Sequence, residues 1–87
     1  MSAKWFVYIL ECQDGSLYTG VTKDLDKRMK AHSEGKGSKY VAIKGFKQLL
    51  TYKEAQSQSE ACKIESKIKS LPRSRKVIAI KQQNWPG

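Results

Sequence analysis

The sequence predicts a small α+β domain: a three-stranded antiparallel sheet with about three helices, in the order β-β-α-β-α-α. Three observations carry this expectation. Two runs rich in β-branched and aromatic residues, 5–12 and 17–22, flank an Asp14-Gly15 pair, the pattern of a β-hairpin. Apolar residues recur at helical spacing directly after it, and again after Ser57-Gln58-Ser59-Glu60, which reads as a capping box. With 87 residues the chain has room for one domain, 1–87 with a core at about 4–82, and a modest interior.

The first strand is Trp5-Phe-Val-Tyr-Ile-Leu-Glu-Cys12 and the second Leu17-Tyr-Thr-Gly-Val-Thr22. The length of the loop between them decides which side chains share a face, because a one-residue slip moves every side chain across the sheet. A two-residue loop pairs Tyr8 with Val21 and separates Tyr8 from Tyr18. A three-residue loop, Gln13-Asp14-Gly15 with Gly15 as the left-handed residue of a G1 bulge, pairs Tyr8 with Gly20 and Leu10 with Tyr18. That register collects Trp5, Val7, Ile9, Leu17 and Val21 on one apolar face, so it is the favoured one. It sets Phe6, Tyr8, Leu10, Tyr18 and Gly20 on the other, where the two tyrosine hydroxyls would form a polar pair on one rigid surface.

A helix is expected over residues 23–34, capped by Thr22 or Asp24, with Leu25, Met29 and His32 on one stripe and Arg28 four residues before His32. Glu34-Gly35-Lys36-Gly37-Ser38-Lys39 reads as a basic, mobile loop. Residues 47–54 fit a third strand. The second helix opens at Ser57 and buries Ala61, Ile64, Ile68 and Leu71, with Glu65 at the edge of the stripe. Leu71-Pro72 ends it, and Pro72 starts a third helix with Val77 and Ile80 inward.

Seventeen Lys and Arg against eight Asp and Glu give a net charge of +9. Such an excess draws a small domain to polyanions, nucleic acid above all. Two cysteines without a CxxC spacing and a single histidine offer no structural zinc site. No signal peptide, lipidation motif or transmembrane run is visible, so the expected setting is cytoplasmic and away from membranes.

Tyr8, Tyr18, Gly20, Arg28, His32 and Glu65 thus stand in order on strand, strand, helix and helix. The segments Leu17-Tyr18-Thr19-Gly20-Val21-Thr22, Arg28-Met29-Lys30-Ala31-His32 and Glu60-Ala61-Cys62-Lys63-Ile64-Glu65 resemble the GIY-YIG nuclease family. The likeness is greatest to its small single-domain bacterial branch. The resemblance implies a metal-dependent endonuclease that hydrolyses DNA phosphodiester bonds. By position, Tyr8 and Tyr18 match the two motif tyrosines, one of which helps activate or place the attacking water. Arg28 matches the arginine that binds the scissile phosphate. Glu65 matches the carboxylate that holds one divalent cation, Mg²⁺ or Mn²⁺. His32 matches a histidine or tyrosine near the phosphate, and Gly20 is structural.

These assignments fit the chemistry. Negative charge develops on the non-bridging and leaving oxygens. A bidentate guanidinium can neutralise the first, and a cation that keeps several of its waters the second. A tyrosine titrating near ~10 is a weak base at neutral pH unless a nearby charge lowers its pKa; Lys23 and His32 are the candidates for that help.

The chain departs from the family pattern at two points. Val7 stands where the first motif has glycine, and residues 73–77 lack the asparagine that many active members carry after the metal glutamate. A weak or inactive nucleic-acid-binding module is therefore the alternative reading, and an interaction protein that kept the scaffold a third. Lys23, Lys36, Lys39, Lys69, Arg73 and Lys76 are the expected phosphate contacts, and such contacts do not read sequence. With no sequence-reading appendage, the expected substrate is DNA that is branched, nicked, damaged or single-stranded, as in DNA repair, with a protein partner as a further source of specificity.

Overall fold

The structure, a computed structural model, describes residues 4–72 and 74–76. Strands β1 (Trp5–Cys12), β2 (Leu17–Thr22) and β3 (Phe46–Ala55) form one antiparallel sheet in the order β2-β1-β3. Helices α1 (Leu25–Ser33) and α2 (Lys39–Lys44) lie between β2 and β3 in the chain, and α3 (Gln58–Lys69) follows β3. Residues 74–76 are helical again, with the Lys76 N–H donating to the Pro72 carbonyl at 3.0 Å. Fold class, sheet and element order are those expected, with α2 added. Val77 and Ile80, expected inside the last helix, lie outside the described residues.

The hairpin has the three-residue loop. The Gly15 N–H donates to the Cys12 carbonyl at 3.0 Å and the Cys12 N–H to the Ser16 carbonyl at 2.8 Å. Gly15 has φ +84°, the left-handed conformation that glycine tolerates without strain. Tyr8 therefore faces Gly20 across the ladder and Leu10 faces Tyr18.

Each face of the sheet is covered. On one, α3 buries Ala61, Ile64 and Ile68 against Val7, Ile9 and Ala55, with Trp5, Leu17, Val21 and Leu71 at the margin. Ser57 caps α3, its hydroxyl accepting the Glu60 N–H at 3.1 Å. On the other, Val41 of α2 and Leu25 and Met29 of α1 pack with Tyr8, Leu10, Cys12, Tyr18, Phe46 and Leu49. This second layer corrects one expectation: the tyrosine face is not an open surface, and Tyr8 is 1 % exposed.

Helix α1 begins at Asp24, whose carboxylate accepts the Lys27 N–H at 3.0 Å, so Asp24 rather than Thr22 is its cap. The basic run after it is tied down rather than loose. The N–H of Lys36 donates to the Ala31 carbonyl at 2.8 Å, and that of Gly35 to the His32 carbonyl at 3.0 Å. Helix α2 then occupies residues left without an assigned element, and the Gly45 carbonyl behind it accepts the Gln13 N–H at 2.8 Å, fastening it to the hairpin.

Candidate active site

Tyr8 is the centre of the arrangement. It points from the central strand toward β2 and lies directly over Gly20. A Cβ at Gly20 would stand 2.5 Å from the Tyr8 hydroxyl and 2.6 Å from Cζ, so only glycine leaves room for the ring. Tyr8 Oη is hydrogen-bonded to Nε2 of His32 at 2.8 Å. His32 is 2 % exposed, and a Cβ at Gly37 would lie 2.6 Å from its Nδ1. Gly20 thus lies against the tyrosine and Gly37 against the histidine. Among the described residues Nδ1 of His32 has no hydrogen-bond partner, and the one polar contact of the ring is Tyr8.

The electrostatics follow from burial. It pushes the Tyr8 phenol well above the ordinary tyrosine range; Tyr18 adds to the rise, Arg28 opposes it and Glu65 adds a little more. Tyr8 is a neutral phenol at physiological pH. Burial and the neighbouring Arg28 charge both depress His32, which is accordingly a neutral imidazole there. Neither group supplies a positive charge or a phenolate.

Tyr18 is partly buried, its ring centroid 6.3 Å from that of Tyr8 and 5.6 Å from that of His32. Tyr40, the second residue of α2, stacks on the Tyr18 ring at 5.8 Å and 24°. No hydrogen bond engages the Tyr18 hydroxyl among the described residues. Arg28 is partly buried on α1, and its Nη1 donates to the Gly37 carbonyl at 3.4 Å. Glu65 approaches from α3, in the opposite layer, and pairs with Lys69 at 3.4 Å. Its charge and that of Arg28 both reach the Tyr8 hydroxyl.

The structure therefore brings Tyr8, Tyr18, Gly20, Arg28 and His32 together around one aromatic cluster, with Glu65 within electrostatic reach. Lys23 and Lys36 line a cleft beside Arg28. Lys39 is exposed at the start of α2, Lys69 is bound to Glu65, and Lys76 is partly buried. Arg73 lies outside the described residues. Sequence reasoning passed over the contacts of Gly37 and Tyr40 with the site. The Gly35-Lys36-Gly37 run was the only available signal for the first, and its close contact with a ring cannot be read from spacing.

Among the described residues there is no group of three or more His, Cys, Asp or Glu side chains able to share an ion, and no helix long and apolar enough to cross a membrane. Glu65, one partly buried carboxylate, fits a cation that takes most of its ligands from water and phosphate. It does not fit one that needs a full protein cage.

The chain as a whole is similar to known proteins. The model of the GIY-YIG catalytic domain matches residues 4–77. The chain is 43 % identical over 83 residues to a UPF0213 protein of Oceanobacillus iheyensis, covering 95 % of this chain and 96 % of that one. It is 42 % identical over 79 residues to one of Staphylococcus saprophyticus, covering 91 % and 96 %. The solution NMR structure of a UPF0213 protein from Bacillus halodurans is similar with a TM-score of 0.53 and 45 % identity, over 85 % of this chain and 79 % of that one.

Proposed function

The chain belongs to the GIY-YIG family, and on that premise we propose that it is a nuclease that hydrolyses DNA phosphodiester bonds with the help of one divalent cation. The observation that supports the reading is the grouping of motif residues on one face: Tyr8 bonded to His32 at 2.8 Å over Gly20, the Tyr18 ring 6.3 Å from that of Tyr8, and Arg28 reaching the carbonyl of Gly37, which borders His32.

Arg28 takes the scissile phosphate. Among the described residues its side chain is anchored only through Gly37, which leaves the rest of the guanidinium fork for two oxygens of one phosphate. Tyr18, partly exposed and without a hydrogen bond among the described residues, places the attacking water. Tyr8 serves as a fixed neutral phenol: His32 and Gly20 hold it, and it in turn orients the Tyr18 ring. Water attacks directly and no covalent intermediate forms. Glu65 would hold Mg²⁺ or Mn²⁺, which when bound supplies neutralisation of charge on the leaving oxygen.

The net charge of +9 supports contacts to the backbone of the substrate rather than to its bases. Such contacts do not read sequence, and the proposed substrate class is DNA that is branched, nicked, damaged or single-stranded. The absent asparagine at residues 73–77 supports a second reading, a binding module with little or no activity.

A cleavage assay on linear, nicked, flapped and four-way DNA with Mg²⁺ or Mn²⁺ separates the two. The nuclease nicks at least one substrate, and Glu65→Ala and Arg28→Ala each abolish nicking while DNA binding by Glu65→Ala survives. Cleavage that persists in purified Glu65→Ala protein overturns the assignment. Salt-sensitive binding without cleavage under either metal establishes the module.

A further inference from the structure

Beside Arg28, where the start of β1 meets the N-terminal half of α1 and residues 36–37, lies a cleft of about 490 Å³. Lys23, Lys27, Arg28 and Lys36 all line it. The only carboxylate among the lining residues is Asp24, which is already engaged in capping α1 through the Lys27 N–H. None of the four cations enters an ion pair among the described residues. The pairs that do form take Lys4, Lys44, Lys47 and Lys69 elsewhere. Uncompensated positive charges in a concave site focus the field and attract an anion.

Trp5 forms one wall. The Lys23 ammonium lies 5.2 Å from its ring centroid, within the range where the ring quadrupole attracts a cation. The indole packs at the margin of the core around Val7 and Ile9, so it is an anchor rather than a mobile surface group. A lysine on a flexible stem is thereby given a fixed address at the cleft.

We propose that this cleft seats the phosphodiester adjoining the one held by Arg28, with Lys23 and Lys27 as its ligands and Trp5 as the residue that positions Lys23. The identity of the anion as nucleic-acid phosphate rests on the nuclease reading of the Arg28 site. The volume suits a group of nucleotide size, ordinary binding pockets spanning roughly 300–1,000 Å³. The strand then runs from Arg28 toward Trp5 and the start of β1.

The test is a titration of oligo(dT) five residues long into isotope-labelled Glu65→Gln protein without metal, followed by the indole N–H of Trp5 and the backbone amides. Trp85→Phe removes the other indole signal. The Trp5 indole and the amides of Lys23, Lys27 and Gly37 shift on binding. Lys23→Ala and Lys27→Ala each weaken binding roughly threefold to tenfold and flatten the slope of log affinity against log salt by about 0.7, the loss of one single-strand phosphate contact. Lys47→Ala, on β3 and outside the cleft, leaves affinity unchanged. Trp5→Leu weakens binding in the Lys23 background but adds nothing to Lys23→Ala, which a merely structural role would not produce. The proposal is overturned when the shifts fall elsewhere, or when Lys23→Ala and Lys27→Ala bind like Lys47→Ala. Wild-type cleavage with an unchanged KM in both lysine variants removes the cleft and leaves the nuclease. Binding at the cleft with no cleavage under either metal does the reverse.

Discussion

The hydroxyl of Tyr8 and Nε2 of His32 are joined by a 2.8 Å hydrogen bond between two side chains 24 residues apart, both almost wholly buried. Each is held neutral by its surroundings, and this gives the fold a pH window. His32 is depressed by burial and by Arg28, so the unfolded chain binds a proton near pH ~6.5 that the native state refuses. Stability falls as pH drops below that value, by at most about 1.4 kcal/mol per pH unit. Tyr8 is raised, so above pH ~10 the unfolded chain releases a proton that the native state keeps, and stability falls again. Urea unfolding at a series of pH values should show a plateau between these limits. His32→Gln should flatten the acid side, and an acid limb unchanged in that variant would assign the slope to other groups.

Gly20 and Gly37 should be the least replaceable glycines of the domain. A Cβ at either would lie within 2.6 Å of a buried ring, Tyr8 in one case and His32 in the other. The rings cannot retreat without losing their shared hydrogen bond, so Gly20→Ala and Gly37→Ala should each cost about 1–3 kcal/mol, as overpacking does. For a domain of this size that is a fall in Tm of several degrees, about 4–8 °C per kcal/mol. Gly15→Ala meets no atom within 4 Å and bears only the left-handed strain of about 1–2 kcal/mol. Thermal unfolding with DNA cleavage measured alongside should show activity lost with Gly20 and Gly37 and kept with Gly15.

Which parts of this were legible in the sequence follows from where the information sits. The Tyr8–Gly20 register was readable because loop length and face composition are local properties of residues 5–22. The stripe of α3 was readable because Ala61, Ile64 and Ile68 repeat at helical spacing after a cap. Helix α2 was not: its six residues include β-branched Val41 and Ile43, Ser38 makes no side-chain cap bond, and the Gln13–Gly45 contact that fixes it crosses 32 positions. Without α2 the second face of the sheet looks open, which is why the burial of Tyr8 stayed hidden. The Tyr8–His32 bond depends on the same layer. Residue identities placed the candidate site, while its electrostatics came only from the packing.

Helix α2 also bears on Tyr18. Tyr40 stacks on its ring at 5.8 Å, and the Lys44 ammonium lies 5.9 Å from the Tyr40 centroid. Such aromatic pairs contribute about 0.5–1.5 kcal/mol beyond burial. Tyr40 is 41 % exposed, so its removal should cost little of the core. Tyr40→Ala should lower kcat severalfold by loosening Tyr18 while leaving DNA affinity within about twofold, because neither ring is a phosphate ligand. Tyr40→Phe keeps the stack and should restore kcat. A Tyr40→Ala protein that binds DNA poorly but turns over normally would make Tyr40 a substrate contact instead.

Lys69 sets the last relationship, because it holds the carboxylate expected to take the cation. Its ammonium is 3.4 Å from Glu65 Oε2, four residues along α3, with the lysine half exposed and the glutamate largely covered. An exposed pair of this kind is worth about 0.2–1 kcal/mol. A divalent cation must displace that ammonium before it can use the carboxylate, so the pair opposes metal binding by a similar amount. Lys69→Ala should therefore lower the Mg²⁺ concentration for half-maximal cleavage by up to about fivefold, the larger figure of that range converted to a binding ratio. The same substitution removes an expected phosphate contact and should weaken DNA binding at low salt. The two effects separate in one experiment, a metal titration at saturating DNA, where only the first remains. Chelation with EDTA should abolish cleavage by both proteins and leave DNA binding intact. A half-maximal Mg²⁺ concentration that rises in Lys69→Ala would mean that the lysine assists the cation site, and that Glu65 is held in place by the pair rather than withheld by it.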